Sequence, residues 1–367
     1  MMTNISETNQ AKSTLMVMAG GTGGHVYPAI AVADYLYALG WKVVWLATEG
    51  GMENRLIVDK PYSKAMITMR GVRGKGLIGW CLLPFKLLVA FKQSLNAIKK
   101  HKPDVVLGMG GFAAFPGGMM ASLLGKPLVI HEQNSIAGLT NRILSHIADK
   151  VLAAFPAAFG HRATLVGNPV RDEICQLDPP QKRYGSRKGR LRLLVVGGSL
   201  GAAVLNDVIP KAIANMSEEE RPEVVHQSGE KHIATLEQNY KKVGVAADAK
   251  SYFEDMASLY AWADIVFCRA GALTVAELAC VGVASVLVPF PHAVDDHQTS
   301  NAHYLSENNA AILIQQTELS IEKVNELLST LTRGQCLEMA INAHALAKPE
   351  AAKTVADVCV SLAGVRA

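Results

Sequence analysis

LMVMAGGTGGH at residues 15–25 and LRLLVVGGSLGA at residues 191–202 each run an apolar stretch into a glycine-rich turn. The first turn leads into PAIAVADYLYALG and the second into VLNDVIPKAIANM, both patterned as helices. Strand, glycine turn and helix in that order let backbone N–H groups approach an anion at the helix mouth. Gly21 and Gly198 stand 177 positions apart, so the chain states the same device twice.

Around these two anchors lie further short apolar runs. WKVVWLA (41–47), DVVL (104–107), PLVI (127–130) and KVLA (150–153) follow the first turn; VVHQ (224–227), DIVFC (264–268) and SVLVP (285–289) follow the second. Short β-rich runs alternating with helical segments predict an α/β protein with parallel sheets. The expected architecture is two Rossmann-like doubly wound domains facing each other across a cleft. Ligands of such sheets bind at the carboxyl ends of the strands, which places the active site between the domains. The expected boundaries are 14–170 and 171–350, with residues 1–13 as a disordered polar tail carrying no secretory signal. The polar, basic, proline-bearing DPPQKRYGSRKGR (178–190) reads as the start of the second domain rather than as core.

Composition narrows the class. A length of 367 residues suits two domains, and 50% hydrophobic with 19% charged residues excludes global disorder. A formal net charge of +4 is too small to imply nucleic-acid binding. The six cysteines form no C-x-x-C and no zinc spacing, which suits a reducing cytoplasm. The most apolar stretch, GLIGWCLLPFKLLVAF (76–91), contains Pro84 and Lys86 and falls short of the ~18–20 clean residues of a span.

Each motif has two readings. GGTGGH (20–25) has Val26 where a dinucleotide fingerprint needs its third glycine, and there is no G-K-[ST], so the turn is either a ligand contact or purely structural. His25 is a candidate base, because imidazole removes protons near neutral pH, or a structural histidine. Ser199 in GGSLGA offers a hydroxyl to a phosphate or caps the helix. Glu277 in RAGALTVAEL (269–278) suits two ribose hydroxyls, which need acceptor-only oxygens, or complements the helix dipole. Glu132 in HEQN (131–134) is a second base candidate or a satisfied structural carboxylate. In PFPHAVDDHQTSNA (289–302), His292, Asp295, Asp296, His297 and Gln298 form a polar loop suited to sugar recognition rather than to a metal, for which no ligand spacing is fixed by a helix. Finally, Lys75, Leu77, Ile78, Trp80, Leu82, Phe85 and Lys86 mix basic with apolar side chains, which suits an anionic bilayer surface or an amphipathic core helix.

Taken in order, GGTGGHVYPA, GMGGF, HEQNSIAGLTNR, VGNPVR, GGSLGA, CRAGALTVAEL and VPFPHAVDDHQTSNA resemble the MurG family of N-acetylglucosaminyltransferases, glycosyltransferase family 28, over almost the whole chain. The resemblance implies the GT-B fold, with the acceptor held by the N-terminal domain and UDP-N-acetylglucosamine mainly by the C-terminal one. A C-terminal helix near 351–367 is expected to cross back to the first domain. It implies transfer of N-acetylglucosamine to the 4-hydroxyl of lipid I, giving lipid II in peptidoglycan synthesis, by a single inverting displacement without cofactor or metal. By resemblance, Thr22, Gly23, Gly24, Asn134, Arg171, Ser199, Phe253, Gln298 and the run Ala272, Leu273, Thr274, Val275, Ala276 and Glu277 fall on donor-binding positions. His25 and Asn141 fall on the acceptor side. It implies a peripheral place on the cytoplasmic face of the cell membrane, on anionic phospholipid, with cell-wall and division proteins as partners and no nucleic acid. Leu200 replaces a common glutamine and Phe112 a frequent tyrosine. Two rival readings are a UDP-N-acetylglucosamine 2-epimerase on the same fold and a catalytically silent nucleotide-sugar-binding scaffold.

Overall fold

The computed structural model describes residues 13–69, 82–198 and 201–364. The tail up to residue 12, the patch residues Lys75, Leu77, Ile78 and Trp80, and Ser199 lie outside the described residues.

The first sheet contains β1 (Thr14–Ala19), β2 (Lys42–Thr48), β3 (Ser63–Ile67), β4 (Val105–Gly110), β5 (Leu128–Glu132), β6 (Lys150–Ala153) and β7 (Thr164–Leu165). Its order is β3-β2-β1-β4-β5-β6-β7, with every pair parallel. The second contains β8 (Arg192–Val196), β9 (Glu223–Gln227), β10 (Asp248–Lys250), β11 (Ile265–Cys268), β12 (Ala284–Leu287) and β13 (Ile312–Leu313), ordered β10-β9-β8-β11-β12-β13 and again parallel. The two doubly wound domains predicted by the sequence are both present. In each, strand order reverses beside the first strand, so the crevice for a ligand opens between β1 and β4 and between β8 and β11. The first glycine turn, and Gly197 and Gly198 at the start of the second, lie at these switch points.

The apolar runs form strands because both faces of each sheet are covered. In β1, Leu15 and Val17 face one core while Met16 and Met18 face the other, all fully buried. The helix Ala351–Gly364 places Val355, Ala356 and Cys359 in the same core as Leu15, Val17 and Val26, so this helix packs back against the first sheet.

Three readings are corrected. The first helix begins at Gly23, not at Pro28, which sits inside it. At its sixth position Pro28 gives up the hydrogen bond to the Gly24 carbonyl, and the helix continues through it. Residues 178–190 are not mere border. The helix Pro180–Gly185 buries Tyr184 in the second core, and Arg183 donates to the carbonyls of Asp178, Val281 and Gly282. Arg187 stands 2.6 Å from Asp264, which is fully buried. Charge there is buried because it is paired and hydrogen-bonded. Gln298 lies on the first turn of the helix His297–Ser306 rather than in a loop.

Candidate active site

The site grows from the ends of β1, β4 and β5. The Trp45 indole donates to the Ala19 carbonyl at 3.0 Å, fixing β1 where the glycine turn begins. Gly111 has φ +90, and a Cβ there would stand 2.4 Å from the Gly20 carbonyl oxygen, so only glycine lets the turns after β1 and β4 touch. Gly110, with φ +103, packs directly under the His25 ring, and its missing Cβ would lie 2.9 Å from Nε2.

His25 therefore stands on the first turns of the helix Gly23–Ala38, half-buried, with the Thr22 hydroxyl 3.2 Å from Nδ1. Burial pushes its pKa below the ordinary 6.5; Glu132 and a hydrogen bond to the Gly20 carbonyl pull it back up, and His297 from the second domain pushes down. Thr22, Gly23 and Gly24 open the same helix.

Glu132 ends β5 and is buried. Four donors converge on it: Asn134 N at 2.9 Å and Asn134 Nδ2 at 3.3 Å on Oε1, Gly138 N at 3.1 Å and Asn141 Nδ2 at 2.9 Å on Oε2. Asn141 is itself buried and also donates to the His131 carbonyl. Neighbouring His131 donates from Nε2 to the Gly167 carbonyl, while Gln133 donates to its Nδ1, which fixes the tautomer. Burial lowers the His131 pKa to about 4, so that ring is a neutral structural element.

Across the cleft, Gly271 precedes the helix Ala272–Val281, which carries Leu273, Thr274, Val275, Ala276 and Glu277 in its first turns. Glu277 is 8% exposed. Tyr260 donates to Oε2 at 3.2 Å, and Arg171 stands 3.8 Å from Oε1 while pairing with Glu173 at 2.9 Å. Burial raises the Glu277 pKa to about 7 against the pull of Arg171 and Tyr260. Phe253 is buried; its N–H donates to Gln227 Oε1 at 3.2 Å, and Lys250 Nζ stands 5.2 Å from its ring centroid. Gln298 accepts from Phe290 N at 2.9 Å.

The structure thus brings His25, Glu132 and Asn134 to one wall and Arg171, Glu277 and Gln298 to the other. Leu82, Phe85 and Lys86 lie apart, at the start of the helix Leu83–His101. Sequence reasoning missed Tyr27, whose ring lies 6.0 Å from the Arg171 guanidinium, and Tyr260, Asn168 and Asn301. Helical spacing held a signal for one of them: Asn301 is four residues after His297 on the same helix face.

Two facing doubly wound domains, an imidazole at one glycine turn and a buried carboxylate on the second turn of the opposite helix are the arrangement of a GT-B protein with a site suited to a nucleotide sugar. Residues 15–153 match the glycosyltransferase family 28 N-terminal domain and residues 192–355 its C-terminal domain. The chain belongs to glycosyltransferase family 28. A protein of Nitrosospira multiformis is 55% identical over 354 residues, covering 96% of this chain and 99% of its own. It is named UDP-N-acetylglucosamine–N-acetylmuramyl-(pentapeptide) pyrophosphoryl-undecaprenol N-acetylglucosamine transferase. A protein of Cupriavidus metallidurans with the same name is 56% identical over 351 residues, 96% of this chain and 98% of its own. The crystal structure of Acinetobacter baumannii MurG superposes with TM-score 0.84 at 41% identity, covering 95% of this chain and 99% of that one. The UDP-GlcNAc 2-epimerase of Neisseria meningitidis superposes at TM-score 0.63 with 12% identity, which shows a shared fold alone.

Proposed function

We infer that the chain is an inverting hexosyltransferase that moves N-acetylglucosamine from UDP-N-acetylglucosamine to the 4-hydroxyl of the N-acetylmuramyl unit of lipid I, giving lipid II in peptidoglycan synthesis. The observation that carries this is 55% identity along 96% of the chain to a transferase named for that reaction.

The site supports a one-step displacement. The donor sugar is α-linked to UDP and the product is β-linked, so one attack inverts the anomeric carbon. His25 takes the proton from the attacking hydroxyl. Its lowered pKa keeps the imidazole unprotonated near neutral pH, while the Glu132 charge stabilises the imidazolium that forms. Glu132 itself already accepts four hydrogen bonds, which suits an anchor of the loop better than a base. The departing UDP gathers negative charge, which the helix N-terminus at Ala272, the Ser199 hydroxyl of GGSLGA and Arg171 stabilise. Glu277 takes the ribose hydroxyls and the Phe253 backbone the uracil; Thr22, Gly23, Gly24, Asn134 and Gln298 line the sugar.

The enzyme docks on an anionic membrane from its cytoplasmic side. Among the described residues no helix is long and apolar enough to cross a membrane. Phe85 is 67% exposed and Leu88 65%, with Val89 beside them and Lys86 and Lys92 on the same helix. Spacings of three, four and seven residues bring Phe85, Leu88, Val89 and Lys92 onto one face. Apolar side chains edged by lysines suit a lipid surface, from which the polyprenyl-linked acceptor cannot leave. Release of UDP from UDP-N-acetylglucosamine, measured with and without a lipid I analogue, tests the assignment. The expected result is release only with acceptor; equal release without it contradicts a transferase.

A further inference from the structure

Asn301 is 0% exposed, on the helix His297–Ser306. Its side-chain oxygen accepts from the Ser135 N–H at 2.9 Å and the Ser135 hydroxyl at 2.8 Å. Its Nδ2 donates to Asn134 Oδ1 at 3.3 Å and to the Ala270 carbonyl at 3.2 Å. A primary amide offers two donors and one oxygen with two lone pairs, so every position is filled. Turning the amide over would set its NH₂ against the Ser135 N–H and its oxygen against the Ala270 carbonyl, two backbone groups of fixed role, which leaves a single orientation.

The cluster joins three segments. Asn134 and Ser135 follow β5 in the first domain, Ala270 precedes the helix Ala272–Val281 in the second, and Asn301 sits one turn beyond His297. Asn168 repeats the link, donating to the Gln133 carbonyl at 3.0 Å and the Ala272 carbonyl at 3.2 Å. From Asn134 the connection continues to Glu132, which receives both its N–H and its Nδ2, and Glu132 acts on His25 by charge. A buried amide network is favourable only when every member is satisfied, so the contact behaves as a latch that is fully made or lost.

We propose that Asn301 is a positioning residue for the transfer step, latching the acceptor-side loop after β5 onto the donor-side helix so that Glu132 and His25 are held against the bound nucleotide sugar. This rests on the reading of His25 as base and of the second domain as the donor site. It goes beyond that reading in naming a side chain that touches neither reacting atom and yet sets the rate.

The test uses the full chain, with Asn301→Ala, Ser135→Ala, the double variant, His25→Ala and His25→Ala with Asn301→Ala. Measured are kcat with a soluble short-chain acceptor, UDP affinity by calorimetry, and thermal unfolding. Asn301→Ala is expected to lower kcat by ~10–100-fold and to change UDP Kd by less than about 3-fold. Ser135→Ala lowers kcat in the wild-type background but changes nothing further once Asn301 is Ala. In the His25→Ala background, Asn301→Ala has little further effect. Additive losses in kcat for the Asn301 and Ser135 changes overturn the latch, as does a UDP Kd that weakens in step with kcat. If Asn301→Ala does not fold, Ser135→Ala alone decides: lower kcat with unchanged UDP Kd supports the latch, and unchanged kcat overturns it. If His25→Ala leaves kcat intact, it is the base assignment that fails, while the Asn301–Ser135 cycle still judges the latch.

Discussion

Glu277→Gln separates what the donor requires from what the fold prefers. Burial raises the Glu277 carboxyl from the ordinary 4.5 to about 7. The sign follows from which state holds the proton. Well below pH 4.5, folded and unfolded chains both keep it; as pH rises, the unfolded chain loses it around 4.5 and the folded chain only near 7. Stability therefore falls between those values, and above pH 7 the folded protein carries a cost of about 3 kcal/mol for the buried charge. Glutamine has the same shape, still accepts from Tyr260, and removes the charge. The 3.8 Å pairing with Arg171 is lost along with the charge, and that attraction is already contained in the net upward shift. The variant is thus expected to be about 3 kcal/mol more stable than wild type at pH 8, with the gain shrinking below about 1 kcal/mol at pH 5. Urea denaturation at both pH values reads this directly. In the same variant the donor KM should rise roughly 10–150-fold, because an acceptor pair for two hydroxyls has lost its charge. A glutamine variant no more stable than wild type at pH 8, or a gain independent of pH, refutes the reasoning.

His25→Ala should lower kcat by ~10²–10⁴-fold while UDP still binds, and near-wild-type kcat across pH 6–9 would place the base elsewhere. Because burial lowers the His25 pKa, activity should fall only as pH drops below 6.5; Glu132→Gln removes the opposing charge and should move that acid limb lower still, as a pH–rate profile would reveal. Phe85→Ser with Leu88→Ser should weaken sedimentation with anionic vesicles while sparing turnover of a soluble acceptor; undiminished sedimentation would assign docking to another face. Asp264→Ala strands Arg187 and Arg333, which stand 2.6 Å and 3.0 Å from the buried carboxylate, and should cost ~3–5 kcal/mol in denaturant titrations.

The central strands were legible because a parallel strand buried on both faces reads as a continuous apolar run, and LMVMA, DVVL and DIVFC are such runs. The edge strands β3, β7, β10 and β13 were not. SKAMI alternates with exposed positions, and β7 and β13 are two residues each, held by their neighbours rather than by their own pattern. Glycine turns marked the cleft, since a turn that must admit another backbone excludes a Cβ. The arginines of residues 178–190 looked solvated, because their partners, the carbonyls of Ala261, Ala263, Val281 and Gly282 and the Asp264 carboxylate, are some 70 to 100 positions away in sequence. Asn301 and Ser135 are separated by 166 positions. That pair forms only where the two domains meet, so the spacing that puts Asn301 on the face of His297 does not name Ser135 as its partner.

The reaction itself is the most direct test. UDP-N-acetylglucosamine labelled in the sugar is incubated with the enzyme and a lipid I analogue, and the product is examined by NMR for its linkage and anomeric configuration. The account predicts label in the lipid product, one UDP released per sugar moved, and a β(1→4) bond. Label converted to an epimerised UDP-sugar, an α-linked product, or no transfer under conditions where UDP binds would contradict it.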